Sequence, residues 1–281
     1  MRRWQTMGSA LVVATGLAGG AGADADPGVP TADVVFAGDS MTAGYTQAAD
    51  SSAAAPVVVP EAGSALDRDL AALRFDWRAA VVARGGVTAE RWDRSDVAWA
   101  PRDPAGFSRV AAVNATGAEL VVLMLGTNDV LQMAGAGASE PLTEAEIERR
   151  WSAYEAAMLE ALDGLDAGRS PGTGVLLLKP LGVVAGPGVL EGVDAAAVNR
   201  WMDERVGPFL EGLAADRDGV WYFDARAAFE ALPGWERYYA DGIHLYRVID
   251  GTYGFAALRG VLLPEVGRVL REVRANAASA E

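Results

Sequence analysis

Five short apolar runs divide the chain: DVVFAG (33–38), RAAVVARG (78–85), ELVVLMLG (119–126), GVLLLKP (174–180) and GVWYFD (219–224). Each is bounded by glycine, proline or aspartate, and each is apolar throughout rather than alternating. That is the pattern of a strand covered on both faces in a parallel sheet. Longer amphipathic stretches lie between them, and these carry helix start signals. Ser64 precedes ALDRDLAAL, and Asp103 with Pro104 opens a stretch running to 115. Thr143 and Glu146 form a capping box, and Asp194 caps a stretch running to 213. A last helix is expected at 252–275. Strand and helix in repeated alternation predict an α/β fold, a three-layer α/β/α sandwich built on a five-stranded parallel sheet. No internal repeat or linker splits the chain, and the stretch 46–64, rich in alanine, serine and proline, reads as a surface loop. Residues 26–281 are therefore expected to form a single domain.

Composition then excludes several classes of function. The chain has no cysteine, one histidine and a formal net charge of −14. Disulfides, thiolate nucleophiles and cysteine-based metal centres are ruled out, as are sites built from several histidines. No carboxylate-rich calcium loop is present, so neither metal nor cofactor is expected. Lys179 is the only lysine, and such a chain is a poor partner for nucleic acid. Its isolation also argues against a phosphate site, and GAGASE (135–140) lacks the third glycine of a dinucleotide fingerprint.

Residues 1–25 read as an export signal. Arg2 and Arg3 precede an apolar run at 9–20 and a small-residue cleavage point after Ala23 or Ala25. That run falls short of the ~20 residues needed to span a bilayer. A secreted or periplasmic protein without stable membrane insertion, working as a monomer, is the expectation.

In parallel α/β sheets the reactive groups gather at the carboxyl ends of the strands. The first strand ends in AGDSMTAGY, which places Ser40 at an expected strand-to-helix turn. A serine there serves equally as a nucleophile or as a helix cap. The third strand ends in LGTNDV, which places Asn128 at the same edge. The one histidine, His244, stands three residues after Asp241 in DGIHL. An imidazole exchanges a proton near neutral pH, and a carboxylate can fix its tautomer. Serine activation needs both.

The motifs GDSMTAG (38–44), GTND (126–129) and DGIHL (241–245), in that order and at strand ends, resemble the SGNH, or GDSL-type, hydrolases. The resemblance spans the chain beyond the leader and implies a flavodoxin-like topology. It further implies Ser40 as nucleophile, His244 as general base and Asp241 as the acid that orients it. The oxyanion hole would comprise the Ser40 N–H, the Asn128 amide and a glycine after the second strand. ARGGVTAE (83–90) departs from the family pattern there, and Gly86 is the match, with Gly85 its competitor. The implied activity is hydrolysis of carboxylic esters of short to medium acyl or aryl type. Removal of acetyl groups from cell-wall or plant polysaccharide is the alternative, and a non-catalytic binding protein on the same fold the third reading. The partner is thus a small-molecule or glycan ester.

The loops at 130–141 and 180–194, rich in glycine, alanine and valine, suit either an apolar substrate pocket or plain solvent loops. Trp235, Tyr238, Tyr239 and Tyr246 suit either an aromatic rim or packing, and Trp92, Trp99, Trp151, Trp201 and Trp221 read as packing residues. Asp39 is expected to organise the Ser40 turn through backbone hydrogen bonds.

Overall fold

The structure is a computed structural model that describes residues 32–43, 45–47, 57–58, 75–83, 85–93, 108–138, 140–169, 172–185, 193–246 and 254–280. Residues 1–25, read above as an export signal, the stretch after Ser64, Asp103 with Pro104, and Trp99 lie outside the described residues. All five apolar runs are strands: β1 (Val34–Gly38), β4 (Ala79–Ala83), β5 (Leu120–Met124), β6 (Gly174–Leu178) and β7 (Val220–Phe223). Two further short strands, β2 (Tyr45–Gln47) and β3 (Val57–Val58), fall between β1 and β4. The five long strands form one parallel sheet in the order β4-β1-β5-β6-β7. This is the flavodoxin-like order, whose strand sequence reverses between β1 and β5.

Successive strand residues point to opposite faces, and the core divides accordingly. Val35, Ala37, Val121, Leu123, Val175 and Leu177 pack on one side. Against them lie α2 (Arg109–Ala115), α4 (Glu144–Gly168), α5 (Ala195–Trp201) and α6 (Gly207–Ala215). Val34, Phe36, Leu120, Val122, Leu176 and Leu178 pack on the other, against α7 (Ala225–Glu230) and the long α8 (Gly254–Ala280). The three-layer sandwich follows. Among the described residues no helix is long and apolar enough to cross a membrane.

The helix signals act locally as read. Thr143 Oγ1 accepts the Glu146 N–H at 3.3 Å, and Asp194 accepts the N–H groups of Ala196 and Ala197. Four features differ from expectation. The described part of α2 is capped by Ser108, which accepts from Ala111 N. The stretch from 195 to 213 is not one α-helix, because a π-turn at Met202–Val206 separates α5 from α6. Pro208, at the start of α6, has no N–H to continue the α-ladder, and the wider turn absorbs the break. Residues 130–133, expected in a loop, belong to α3 (Thr127–Met133). Finally, the stretch 46–64 is not simply loop: β2 and β3 pair antiparallel, and β2 also pairs in parallel with β8 (Leu245–Tyr246).

Candidate active site

Four segments converge at the carboxyl edge of the sheet, beside the reversal point between β1 and β5. The first is the turn after β1. Gly38 is required there by close packing, since a Cβ would lie 2.3 Å from both the Met124 carbonyl oxygen and Thr42 Oγ1. Asp39 is fully buried, and its Oδ1 accepts the Met41 N–H at 2.9 Å, the turn-organising bond expected of it. Residues 40–43 form a turn that leads to β2, where the sequence had pointed to a helix. The pairing of β2 with β8 accounts for the difference.

The second segment carries His244. Asp241 Oδ1 accepts the N–H groups of Ile243 (3.0 Å) and His244 (2.7 Å), and its Oδ2 lies 2.8 Å from His244 Nδ1. One carboxylate thus folds the turn and orients the ring. Val184 N–H donates to the Gly242 carbonyl, and Tyr239 O–H to the Gly182 carbonyl, so the turn is tied to the loop after β6. Parallel pairing of Thr46 with Leu245 and Gln47 with Tyr246 joins the segment beyond Ser40 to the one beyond His244. His244 Nε2 consequently lies 3.0 Å from Ser40 Oγ. The expected trio of Ser40, His244 and Asp241 forms one hydrogen-bonded chain, and all three are buried.

The third and fourth segments are α3 and the turn after β4. Gly126 has φ 128°, which turns the chain directly from β5 into α3 and sets Asn128 and Asp129 in its first turn. Asn128 Nδ2 donates to the Val87 carbonyl at 2.9 Å, with a longer contact of 3.5 Å to Asp39 Oδ2. Both Asp129 oxygens accept the Ala89 N–H, each at 3.1 Å. Gly86 is exposed in the turn at φ 71°, with open space where a Cβ would stand, and Gly85 is half-buried beside it. Asn128 and the Gly85–Gly86 turn are therefore neighbours. Asp129 also lies inside GTND, but its role leaves no local mark in the sequence, because its carboxylate bonds a backbone N–H forty residues away.

Burial governs the charges. It pushes the Asp39 carboxyl up to about 6, against the Met41 N–H and the nearby His244 and Thr127. It pushes Asp129 up to about 7, with Asp39 and Glu90 adding to the effect. Burial also raises Asp241, but the His244 ring and the backbone N–H groups outweigh it and hold this carboxyl below its ordinary value. Asp241 is the acid of the three held below its ordinary value, and it is fully ionised at neutral pH.

Other expectations resolve into packing. Tyr238 and Tyr239 are buried, with ring centroids 6.0 and 6.1 Å from Phe229, and Trp235 packs edge-on against Tyr239. They form no rim. Of the two apolar loops, Val130, Leu131, Met133 and Val183 belong to the core. An apolar cavity of about 60 Å³ lies on the α8 side of the sheet, lined by Phe36, Met41, Val122, Met124, Phe255 and Leu258. Trp92 is fully buried, and Trp151, Trp201 and Trp221 partly so. Lys179 pairs with Asp203 (2.6 Å) and Asp224 (3.0 Å), an ion pair that leaves no role in phosphate binding. Among the described residues no cluster of acidic or histidine side chains could hold a metal.

The family model for GDSL-like lipases and acylhydrolases matches residues 36–246. Among curated proteins, none matches the sequence significantly. A catalytic mutant of an acetylxylan esterase from Geobacillus stearothermophilus is structurally similar, with a TM-score of 0.51 at 18% identity over 86% of this chain and 95% of that one. So is a lipase from a goat rumen metagenome, with a TM-score of 0.51 at 15% identity over 82% and 95%. A carbohydrate acetylesterase family member from Sinorhizobium meliloti has a TM-score of 0.50 at 19% identity over 85% and 99%. At such identities the likeness is one of fold.

Proposed function

The chain belongs to the GDSL-like lipase/acylhydrolase family and is a carboxylic ester hydrolase, and from that premise we propose that it works through an acyl-enzyme formed on Ser40. The observation that carries this reading is the continuous chain from Ser40 Oγ through the His244 ring to Asp241. His244 Nε2 takes the hydroxyl proton as Ser40 Oγ attacks the ester carbonyl, and Asp241 holds Nδ1 protonated and offsets the imidazolium charge. The tetrahedral oxyanion is received by the N–H groups of Ser40 and Gly86 and by Asn128 Nδ2. One Asn128 amide hydrogen is committed to the Val87 carbonyl, and the other, in only a long contact with Asp39, is the one left to donate to the oxyanion. His244 then returns its proton to the departing alcohol, and water drawn through the same imidazole releases the acid.

Short to medium acyl or aryl esters are the substrates of this reading. The protein is exported after loss of residues 1–25 and acts as a monomer. Deacetylation of polysaccharide is the second reading, prompted by the carbohydrate-directed activities named for two structural neighbours. Hydrolysis of p-nitrophenyl acetate by wild type beside Ser40→Ala tests the chemistry. Equal rates overturn it and leave a binding protein on the same fold. Comparing p-nitrophenyl esters of graded chain length with acetylated xylan then separates the two substrate classes.

A further inference from the structure

α1 (Ala89–Trp92) begins without a cap of its own. Its N-cap residue, Thr88, is extended and makes no side-chain bond to the helix. The N–H of Ala89 is buried and is taken by the Asp129 carboxylate from α3, forty residues along the chain. Two positions earlier in the same segment, the Val87 carbonyl accepts from Asn128. Neighbouring side chains of one helical turn therefore grip a three-residue span at both ends, one as donor and one as acceptor. The turn bearing Gly86 adjoins that span, and Gly86 itself is exposed, at positive φ, with open space where a Cβ would stand.

We propose that Asp129 is a positioning residue, whose bond to the Ala89 N–H completes a two-point clasp holding the Gly86 turn in register with Asn128. The inference rests on the oxyanion assignment made above. Preorganised donors contribute to catalysis because they need not move as charge develops. A turn free to drift would lose the Gly86 contribution while ground-state binding stayed nearly the same. The expected signature is a fall in kcat without a matching rise in KM.

The test compares Asp129→Asn and Asp129→Leu in the full-length protein, with p-nitrophenyl acetate as probe. Asparagine keeps an acceptor for the Ala89 N–H and is expected to stay within roughly fivefold of wild-type kcat. Leucine, similar in size but without an acceptor, is expected to lose roughly 10²-fold in kcat with KM within twofold, the scale of one lost oxyanion donor. Equal kcat for leucine and wild type, or a leucine defect expressed in KM alone, overturns the proposal. Where leucine prevents folding, Asp129→Ala is read in the same way. Amide hydrogen exchange supplies an arm that needs no ester. The Ala89 N–H is expected to be protected in wild type and to exchange faster in Asp129→Leu, and an unprotected Ala89 in wild type overturns the clasp without any variant. Failure of the parent reading looks different, since Ser40→Ala would then hydrolyse the ester as wild type does.

Discussion

Ser40 Oγ and His244 Nε2 stand 3.0 Å apart although 204 positions separate them in the chain. The parallel pairing of β2 with β8 begins six residues beyond Ser40 and one beyond His244, so a short ladder of backbone bonds draws the hydroxyl and the imidazole together. The His244 ring must be neutral to take the Ser40 proton. kcat/KM for p-nitrophenyl acetate is therefore expected to fall in acid, because a protonated ring cannot accept that proton. Activity still flat at pH 4 contradicts this scheme. Ser40→Ala and His244→Ala are each expected to lose roughly 10⁴- to 10⁶-fold in kcat.

Asp241 reaches His244 through the ring and through the backbone at once. In Asp241→Asn the amide can present a donor to Nδ1 and favour the wrong tautomer, so kcat should drop roughly 10³- to 10⁴-fold with KM little changed. Steady-state kinetics with a near-ultraviolet circular dichroism check measure this. An Asn variant of nearly wild-type activity would remove Asp241 from the scheme.

Asn128→Ala removes a donor to the oxyanion and also the bond to the Val87 carbonyl. The expected loss is about 10²- to 10³-fold in kcat. Labelling of Ser40 by a fluorophosphonate should slow as well, because the phosphoryl oxygen occupies the same hole. Unchanged kcat places the oxyanion elsewhere.

Burial raises the Asp39 carboxyl to about 6 and Asp129 to about 7, from ordinary values near 3.8. The folded state thus binds these protons more tightly than the unfolded chain does. Their favourable contribution is complete below about pH 4 and is lost as pH rises toward 7. Asp241 has the opposite sign, its contribution being lost only as pH falls through its lowered value. Asp129→Asn, neutral at every pH, is expected to raise Tm by several degrees at pH 8 and hardly at all at pH 4.5, as scanning calorimetry would record. A larger gain at pH 4.5 than at pH 8 would reverse the sign and refute the assignment.

At Gly38 a methyl group would lie 2.3 Å from the Met124 carbonyl, a backbone atom at the carboxyl end of the middle strand, β5. Gly38→Ala is expected to destabilise the protein by ~3 kcal/mol and to displace the Ser40 turn, lowering kcat. Chemical denaturation gives the first effect and ester hydrolysis the second. Neither effect appearing would mean that the turn tolerates a Cβ.

The α/β architecture and the edge that carries the chemistry are legible in the linear chain, because both arise from local rules. A buried parallel strand must be apolar on both faces, so Val34–Gly38, Leu120–Met124 and Gly174–Leu178 announce themselves. Caps such as Thr143 and Asp194 bond to groups within three residues, which makes them readable too. The π-turn before Pro208 and the short α3 are less visible. Each depends on how a few residues settle against the sheet rather than on a long periodic pattern.

What the amino-acid order determined by itself is the sheet, its helical cover and the presence at one edge of a serine, an asparagine and an acid–histidine pair three residues apart. What only the tertiary structure decided is their contact. β2 and β8 are too short to show a period, and the bond from Asp129 to Ala89 joins groups that are near only after β4 and β5 have taken places on either side of β1. Period and capping are written over a few neighbouring residues, whereas the closeness of Ser40 to His244 is a property of the folded sheet.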